Sequence, residues 1–195
     1  MLSALQSQSA LAQLLAKGQV VASNMPLEAL VCQHFALPAT PDYPIAAITA
    51  EADGLATGNA YWLRADPVHL ALQRDCFILG EPVPLLVNSE HAAIMLASLN
   101  QHFNQDGLSF FLGHSGAWYL KSAQAPQITT TLPSVVIGKN IHDFLPQGVA
   151  SSRWLAVLNE VQMLLHEHPA NDLRETMGEA ASPLIVAVVA PLLQR

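Results

Sequence analysis

The sequence contains few charged residues. Only 12% of its 195 residues are Asp, Glu, Lys or Arg, whereas about 25% is typical of a soluble domain. The 8 Lys and Arg residues form no cluster, and 15 Asp and Glu residues outnumber them, so the net charge is -7. Binding of nucleic acid through a basic surface requires clustered cations, and we therefore expect no nucleic-acid partner.

Long apolar runs and paired cysteines are also missing. The longest apolar run, Pro183 to Leu193, is well short of the ~20 residues that span a bilayer, so no membrane segment is predicted. The N-terminal residues 1–6 have no cationic start and do not resemble a secretory signal. Cys32 and Cys76 have no CxxC spacing, which favours a cytoplasmic protein with reduced thiols.

Apolar residues, by contrast, are abundant at 51%. This content excludes extended disorder and predicts a single domain over residues 1–195. So many apolar residues with so few charges also indicate that a partner, or a second copy in a homo-oligomer, covers part of the surface. The uncharged tail 183–193 is expected either to pack on the domain as a strand or helix or to enter a dimer interface.

Hydrophobic periodicity predicts an α+β fold, with a mixed or antiparallel sheet built from hairpins and flanked by about four to five helices. Helices are predicted at 2–16, 27–35, from an N-cap at Ser89 to 103, and from 151 or 152 to 168. Strand pairs are predicted at 61–70 with 76–79 and at 108–112 with 117–121. Isolated short strands are predicted at 45–49 and 135–137 within loops.

The first group of candidate site residues is Arg64, Asp66 and His69, all in one predicted strand. Arg64 and Asp66 share a face because they are two residues apart. Pro67 is expected to interrupt the hydrogen-bond ladder and turn that edge toward solvent or a ligand. Arg64 could bind a carboxylate or phosphate through two donors. The alternative is a weak surface ion pair between Arg64 and Asp66.

Two further polar groups lie near the C-terminus. His166 and His168 point about 200° apart on a regular helix, so they cannot hold one metal, and a favourable interaction with the helix dipole is the simpler interpretation. Asn171, taken alone, suits the N-cap of a short helix with Arg174 on its outer face.

Two long strings of residues carry a family resemblance. They are Trp62-Leu63-Arg64-Ala65-Asp66-Pro67-Val68-His69-Leu70, followed by Arg74-Asp75, and the irregular string from Trp154 through Asn159-Glu160 and His168-Pro169 to Asn171 and Arg174. On these strings, and on shorter matches within residues 60–178, the chain resembles the proteobacterial regulatory proteins of the RpfE type. It is more distantly similar to the substrate-binding part of archaeal-type cofactor-independent phosphoglycerate mutases, in the alkaline phosphatase superfamily.

The resemblance implies that Arg64, Asp66, Asn171 and Arg174 face a ligand, and His69 completes the predicted set. The mutases use a Ser or Thr acceptor among two divalent metals, and no segment here resembles their metal-binding stretches. We therefore expect a non-catalytic regulatory or small-anion-binding protein without a cofactor. Its expected ligand is a small phosphorylated or carboxylated metabolite, because the Arg fork matches those groups.

The alternative is a metal-dependent phosphotransferase or phosphatase. Such an enzyme would need several carboxylates and imidazoles around one or two ions with an open coordination position. The residues available for this are Asp66, His69, His142, Asp143, His166 and His168.

Overall fold

The computed structural model describes residues 12–13, 16–19, 21–37, 42–81, 84–85, 87–170 and 184–189, the last as backbone only. Five α-helices have both ends among these residues: α1 (Leu27–His34), α2 (Ile45–Ala52), α3 (Ser89–His102), the single-turn α4 (Pro133–Val136) and α5 (Ser151–His166). The strands are β1 (Tyr61–Gln73), β2 (Cys76–Leu79), β3 (Leu108–Leu112), β4 (Trp118–Ser122) and β5 (Leu184–Val189). Short 3-10 helices lie at Phe103–Gln105 and Ile141–Phe144.

The long strand β1 organises the sheet, in which every described strand pair is antiparallel. β4 pairs with the start of β1, β5 with its middle and β2 with its end, and β3 adds to β4. Arg64 is in register with both Tyr119 of β4 and Val189 of β5. A strand residue has one neighbour on each edge, so β4 and β5 flank β1 on opposite sides.

One face of the sheet carries the main core. Leu63 and Ala65 of β1, with Trp118 and Leu120 of β4, pack there against α3 and α5. Each helix contributes an apolar stripe at helical spacing. These stripes consist of Ala92, Met95, Leu96 and Leu99 on α3 and of Trp154, Val157, Val161 and Leu165 on α5.

Polar side chains fix the positions of α3. The Asn100 amide donates to the Phe110 carbonyl at 2.9 Å and accepts from the Phe110 amide at 2.7 Å, which ties the helix to β3. His102 Nε2 lies 2.8 Å from Glu160 Oε2 and links α3 to α5. The main core is therefore held in register by hydrogen bonds as well as by apolar packing.

The opposite face of the sheet is covered at its two ends. At one end, α2 packs on the sheet through a cluster of Ala46, Ala50, Trp62 and Tyr119. At the other end, α4 packs on β1 and β2 through a cluster of Val68, Leu70, Leu79 and Val136. Strand alternation places Arg64 and Asp66 on this face, between the two clusters.

The predicted α+β class and both predicted hairpins are confirmed. The first hairpin turns at Arg74 and Asp75, where Arg74 adopts a left-handed φ of 52°. The predicted helices at 27–35, 89–103 and 151–168 are present as α1, α3 and α5. The tail contains a strand, β5, paired with β1, which is one of the arrangements expected for it. The predicted helix at 2–16 lies almost entirely outside the described residues.

Two predicted strands are wrong. Residues 45–49 belong to α2, whose Ala46 and Ala50 lie one turn apart and are completely buried against the sheet. Residues 135–136 belong to the helical turn α4, which begins at Pro133, a favoured first helical position. Apolar runs of only three to five residues fit either structure, and packing on the sheet decides between them.

Two local expectations also need correction. Pro67 does not interrupt β1: it is in register with Val186, and its carbonyl accepts from the Leu85 amide at 2.8 Å. Proline lacks only the N–H, so the ladder continues where that group has no partner to bond. The N-cap of α3 is Asn88 rather than Ser89, because Asn88 Oδ1 accepts from the Glu90 amide at 2.8 Å.

Candidate functional site

Arg64 and Asp66 form a partly buried ion pair on β1. Arg64 Nε donates to Asp66 Oδ2 at 2.8 Å, and Nη2 lies 2.7 Å from the same oxygen. The other oxygen, Oδ1, accepts from the Trp118 amide at 3.0 Å. The Asp66 and Arg64 side chains are 12% and 21% exposed, so the pair is shielded more than an ordinary surface ion pair.

Tyr119 and Asp53 extend this pair into a cluster. The Arg64 guanidinium lies over the Tyr119 ring, 5.1 Å from its centroid, a favourable cation–π geometry. The Tyr119 hydroxyl donates to Asp53 Oδ2 at 2.6 Å. Ser115 donates to Asp53 through its hydroxyl at 2.7 Å and its amide at 3.2 Å. We call Asp53, Arg64, Asp66, Ser115 and Tyr119 the Arg64 cluster.

The turn between β3 and β4 brings Asp53 into the cluster. Asp53 follows α2 directly, and its carbonyl accepts from the His114 amide at 3.3 Å. A Cβ atom at Gly113 would overlap the Asp53 carboxylate, and one at Gly54 would lie 2.6 Å from His114 Cε1. The two glycines therefore permit the close approach of the turn to the end of α2.

The pKa values reflect this network. Burial raises the pKa of Asp66, and the nearby Asp53 adds to the rise, while Arg64 and the Trp118 amide oppose it. Burial also opposes ionisation of Asp53, but the hydrogen bonds from Ser115 and Tyr119 outweigh it and lower the Asp53 pKa. Burial and the bond to Asp53 raise the pKa of Tyr119 to about 12. Tyr119 is thus a neutral donor near neutral pH.

The structure does not bring His69 to Arg64. His69 is an odd number of residues from both Arg64 and Asp66, so its side chain lies on the other face of β1. It packs against Gly80, and its buried Nδ1 has no hydrogen-bond partner among the described residues. Asn171 and Arg174 lie outside the described residues, so their place relative to Arg64 stays a prediction.

The histidines at the end of α5 have different environments. His168 is buried, with its Nε2 3.0 Å from Ser98 Oγ and its Nδ1 accepting from the Ala170 amide at 3.2 Å. Burial lowers the His168 pKa. His166 is exposed. His168 thus anchors the C-terminal end of α5 to α3, in keeping with a structural role.

Among the described residues, the structure contains no group of three or more His, Cys, Asp or Glu side chains placed to hold a metal ion. Of the six ligands of the metal-dependent alternative, Asp66 is engaged by Arg64 and Trp118. His69 lies on the opposite face of the strand, and His168 bonds to Ser98.

The sequence pattern does not connect Asp53, Ser115 or Tyr119 with Arg64. Asp53 is 62 residues from Ser115 and 66 from Tyr119, and no spacing rule connects positions so far apart. The available signal was the Gly113-His114-Ser115-Gly116 turn, whose position beside an Asp-Gly pair was not predicted.

The helices of the described part of the chain lack the combination of length and apolar character that a bilayer crossing requires. Comparison of the chain with protein-family models, with curated proteins and with solved structures finds no match.

Proposed function

We propose that this protein is a non-catalytic regulatory protein that binds a small carboxylated or phosphorylated metabolite at Arg64. The observation that carries the proposal is the fixed guanidinium of Arg64. Asp66 holds its Nε and Nη2 side and the Tyr119 ring supports its plane. Nη1 donates to no described residue, and the side chain keeps 21% of its surface exposed. A guanidinium fixed in this way loses little entropy when it binds an anion.

Binding rather than catalysis is supported by the state of the carboxylates. Both oxygens of Asp66 and both oxygens of Asp53 already accept from groups of the protein. A general base needs a free acceptor within reach of a substrate proton. The pKa of Tyr119, about 12, likewise suits a fixed donor rather than a proton carrier.

The charge of the cluster favours one ligand class. Arg64 contributes one positive charge, and Asp53 and Asp66 contribute two negative charges, so the cluster is net negative before any ligand arrives. A dianionic phosphate would meet more repulsion from the two carboxylates than a singly charged carboxylate would. We therefore expect monocarboxylates to bind better than phosphate monoesters of similar size.

Isothermal titration calorimetry tests this proposal. The full chain is titrated with pyruvate, lactate, phosphoenolpyruvate, phosphoglycerate and inorganic phosphate. Arg64→Gln should weaken carboxylate binding by about tenfold or more, because a charge-assisted hydrogen bond is lost. The control is Arg153→Gln, which removes an exposed arginine that donates to the Asp106 carbonyl. The proposal fails if no compound gives heat, or if both variants bind as tightly as the wild type.

A further inference from the structure

A concavity lies at the end of β1, between β2 and α5. Its volume is about 600 Å³, within the range of roughly 300–1,000 Å³ typical of small-molecule sites. The ends of β1 and β2 form its floor, and residues 131–146 and α5 form its walls. No member of the Arg64 cluster lines it, so we treat it as a separate site and call it the α5 pocket.

The α5 pocket is lined mainly by apolar side chains. Val68, Leu70 and Leu79 on the floor belong to the second apolar cluster of the sheet. On α5, Leu155 and Leu158 line the pocket, and Leu158 also packs against the edge of the main core. The pocket therefore extends the apolar surface of the core, and Leu155 adds an apolar group that the core packing does not use.

Polar side chains also line the pocket, among them two amides of α5. Gln162 lies one turn after Leu158 on α5, and Asn159 directly follows Leu158 in the sequence. Neither amide makes a hydrogen bond to a described residue. Amide groups of this kind can donate and accept at once, so they suit hydroxyl, carbonyl or amide groups of a ligand.

The charge of the lining selects against anions. Asp75 and His142 line the pocket, and none of its described lining residues is Lys or Arg, in a chain with a net charge of -7. An anion would leave water for a mainly apolar site with a carboxylate nearby and no lysine or arginine among the described lining residues to pair with. This contrasts with the Arg64 cluster, whose guanidinium can pair with one.

We propose that the α5 pocket binds a neutral, mainly apolar small molecule whose polar groups pair with Asn159 and Gln162. The inference rests on the volume, the apolar lining and the Asn159 and Gln162 amides, which bond to no described residue, and not on the proposed function at Arg64.

Two related fluorescent probes test the charge selection. Phenylnaphthylamine is neutral and apolar, and anilinonaphthalene sulfonate is a similar molecule that carries a sulfonate. Phenylnaphthylamine should bind the full chain saturably, with its fluorescence enhanced, and about tenfold or more tightly than the sulfonate. Equal affinity for the two probes, or no saturable binding of the neutral one, would overturn the proposal.

Variants locate the probe. Gln162→Trp fills the pocket from a half-exposed helical position and should weaken phenylnaphthylamine binding by about tenfold or more. Phe35→Ser is the matched control, because Phe35 is an exposed apolar residue of a different patch beside α1. Loss of binding in Phe35→Ser but not in Gln162→Trp would refute the pocket assignment. Arg64→Gln should leave probe binding unchanged, which separates this test from that of the proposed function.

Cys76 provides a second measurement on the wild-type chain, independent of how any variant folds. Its thiol lines the α5 pocket and is partly exposed, whereas Cys32 is buried and has a pKa raised by burial and by Glu28. Saturating phenylnaphthylamine should slow alkylation of Cys76 by about tenfold, since only the unbound fraction reacts. Alkylation at an unchanged rate with the probe bound would place the probe elsewhere and overturn the proposal.

Discussion

The coupling between Arg64 and Asp66 is the most informative quantity to measure in this protein. Asp66→Ala would remove the partner of a guanidinium that is only 21% exposed and the acceptor of the Trp118 amide. Breaking a fully buried pair in this way costs about 3–5 kcal/mol. Because both side chains retain some exposure, we expect a loss of about 3 kcal/mol in the free energy of unfolding.

A double-mutant cycle isolates the pair from its surroundings. Asp66→Asn keeps an oxygen for the Trp118 amide and removes the charge, so it should cost about 1–2 kcal/mol. Arg64→Met keeps the apolar stem over Tyr119 and leaves the Asp66 carboxylate without a cation, at a similar cost. The double variant should have nearly the stability of the wild type, so the coupling energy should nearly equal the sum of the two single costs, about 2–4 kcal/mol.

The assay is urea unfolding followed by the fluorescence of the buried tryptophans, with m-values checked for constancy. The pH dependence provides an internal control. A neutral Asp66 needs no cation, and burial already raises its pKa. The cost of Arg64→Met should therefore shrink as pH falls from about 7 to about 4. A coupling energy below about 0.5 kcal/mol would refute the prediction and show that solvent screens the Arg64–Asp66 pair as in an ordinary surface ion pair.

Three further predictions concern titratable groups, each measured by urea unfolding across pH. Asp53→Asn should lower the free energy of unfolding by about 1 kcal/mol at neutral pH. Because the pKa of Asp53 in the folded protein is lowered from 3.8, this difference from the wild type should disappear as pH falls below 3.8 and through the folded pKa. A difference that stays constant with pH would contradict the prediction. Tyr119→Phe should cost about 1–2 kcal/mol. With its pKa raised from 10.0 to about 12, that cost should decline only above about pH 10, and a decline at neutral pH would argue against the bond to Asp53. His168, whose folded pKa is lowered by burial, should make the wild type lose stability as pH falls below its ordinary 6.5. A His168→Gln variant with the same acid sensitivity would show that another group is responsible.

The sequence predicts this fold well where the side-chain pattern is local. Both hairpins follow from alternation across short polar turns, and α3 and α5 from apolar residues at helical spacing. The sequence predicts a short strand at 45–49 within a loop, because this apolar run is short and the surrounding residues 38–60 are rich in Pro, Ala, Asp and Gly. The segment forms a helix because this conformation lets the small side chains of Ala46 and Ala50 pack closely on Trp62 and Tyr119 of the sheet.

Only the part of the candidate site that lies on one strand, Arg64 and Asp66, could be predicted from the sequence. Arg64 and Asp66 are two residues apart on one strand, so their pairing follows from strand geometry. Asp53 reaches them through the fold, by the docking of the turn between β3 and β4 on the end of α2. The net negative charge of the cluster, and hence its expected preference for a singly charged ligand, therefore could not be derived from the strand alone.

The presence of an ion pair at this point of the sheet requires a reason other than stability. The neighbours of Arg64 and Asp66 along the same face of β1 are Trp62 and Val68, both buried and apolar. An apolar pair in the same position would avoid the desolvation of two charges and would stabilise the sheet at least as well. The double variant Arg64→Met/Asp66→Asn separates the two roles: we expect it to keep the stability of the wild type while losing carboxylate binding in calorimetry. If it loses stability and binding together, the pair holds the sheet in register, and binding depends on that framework rather than on the guanidinium.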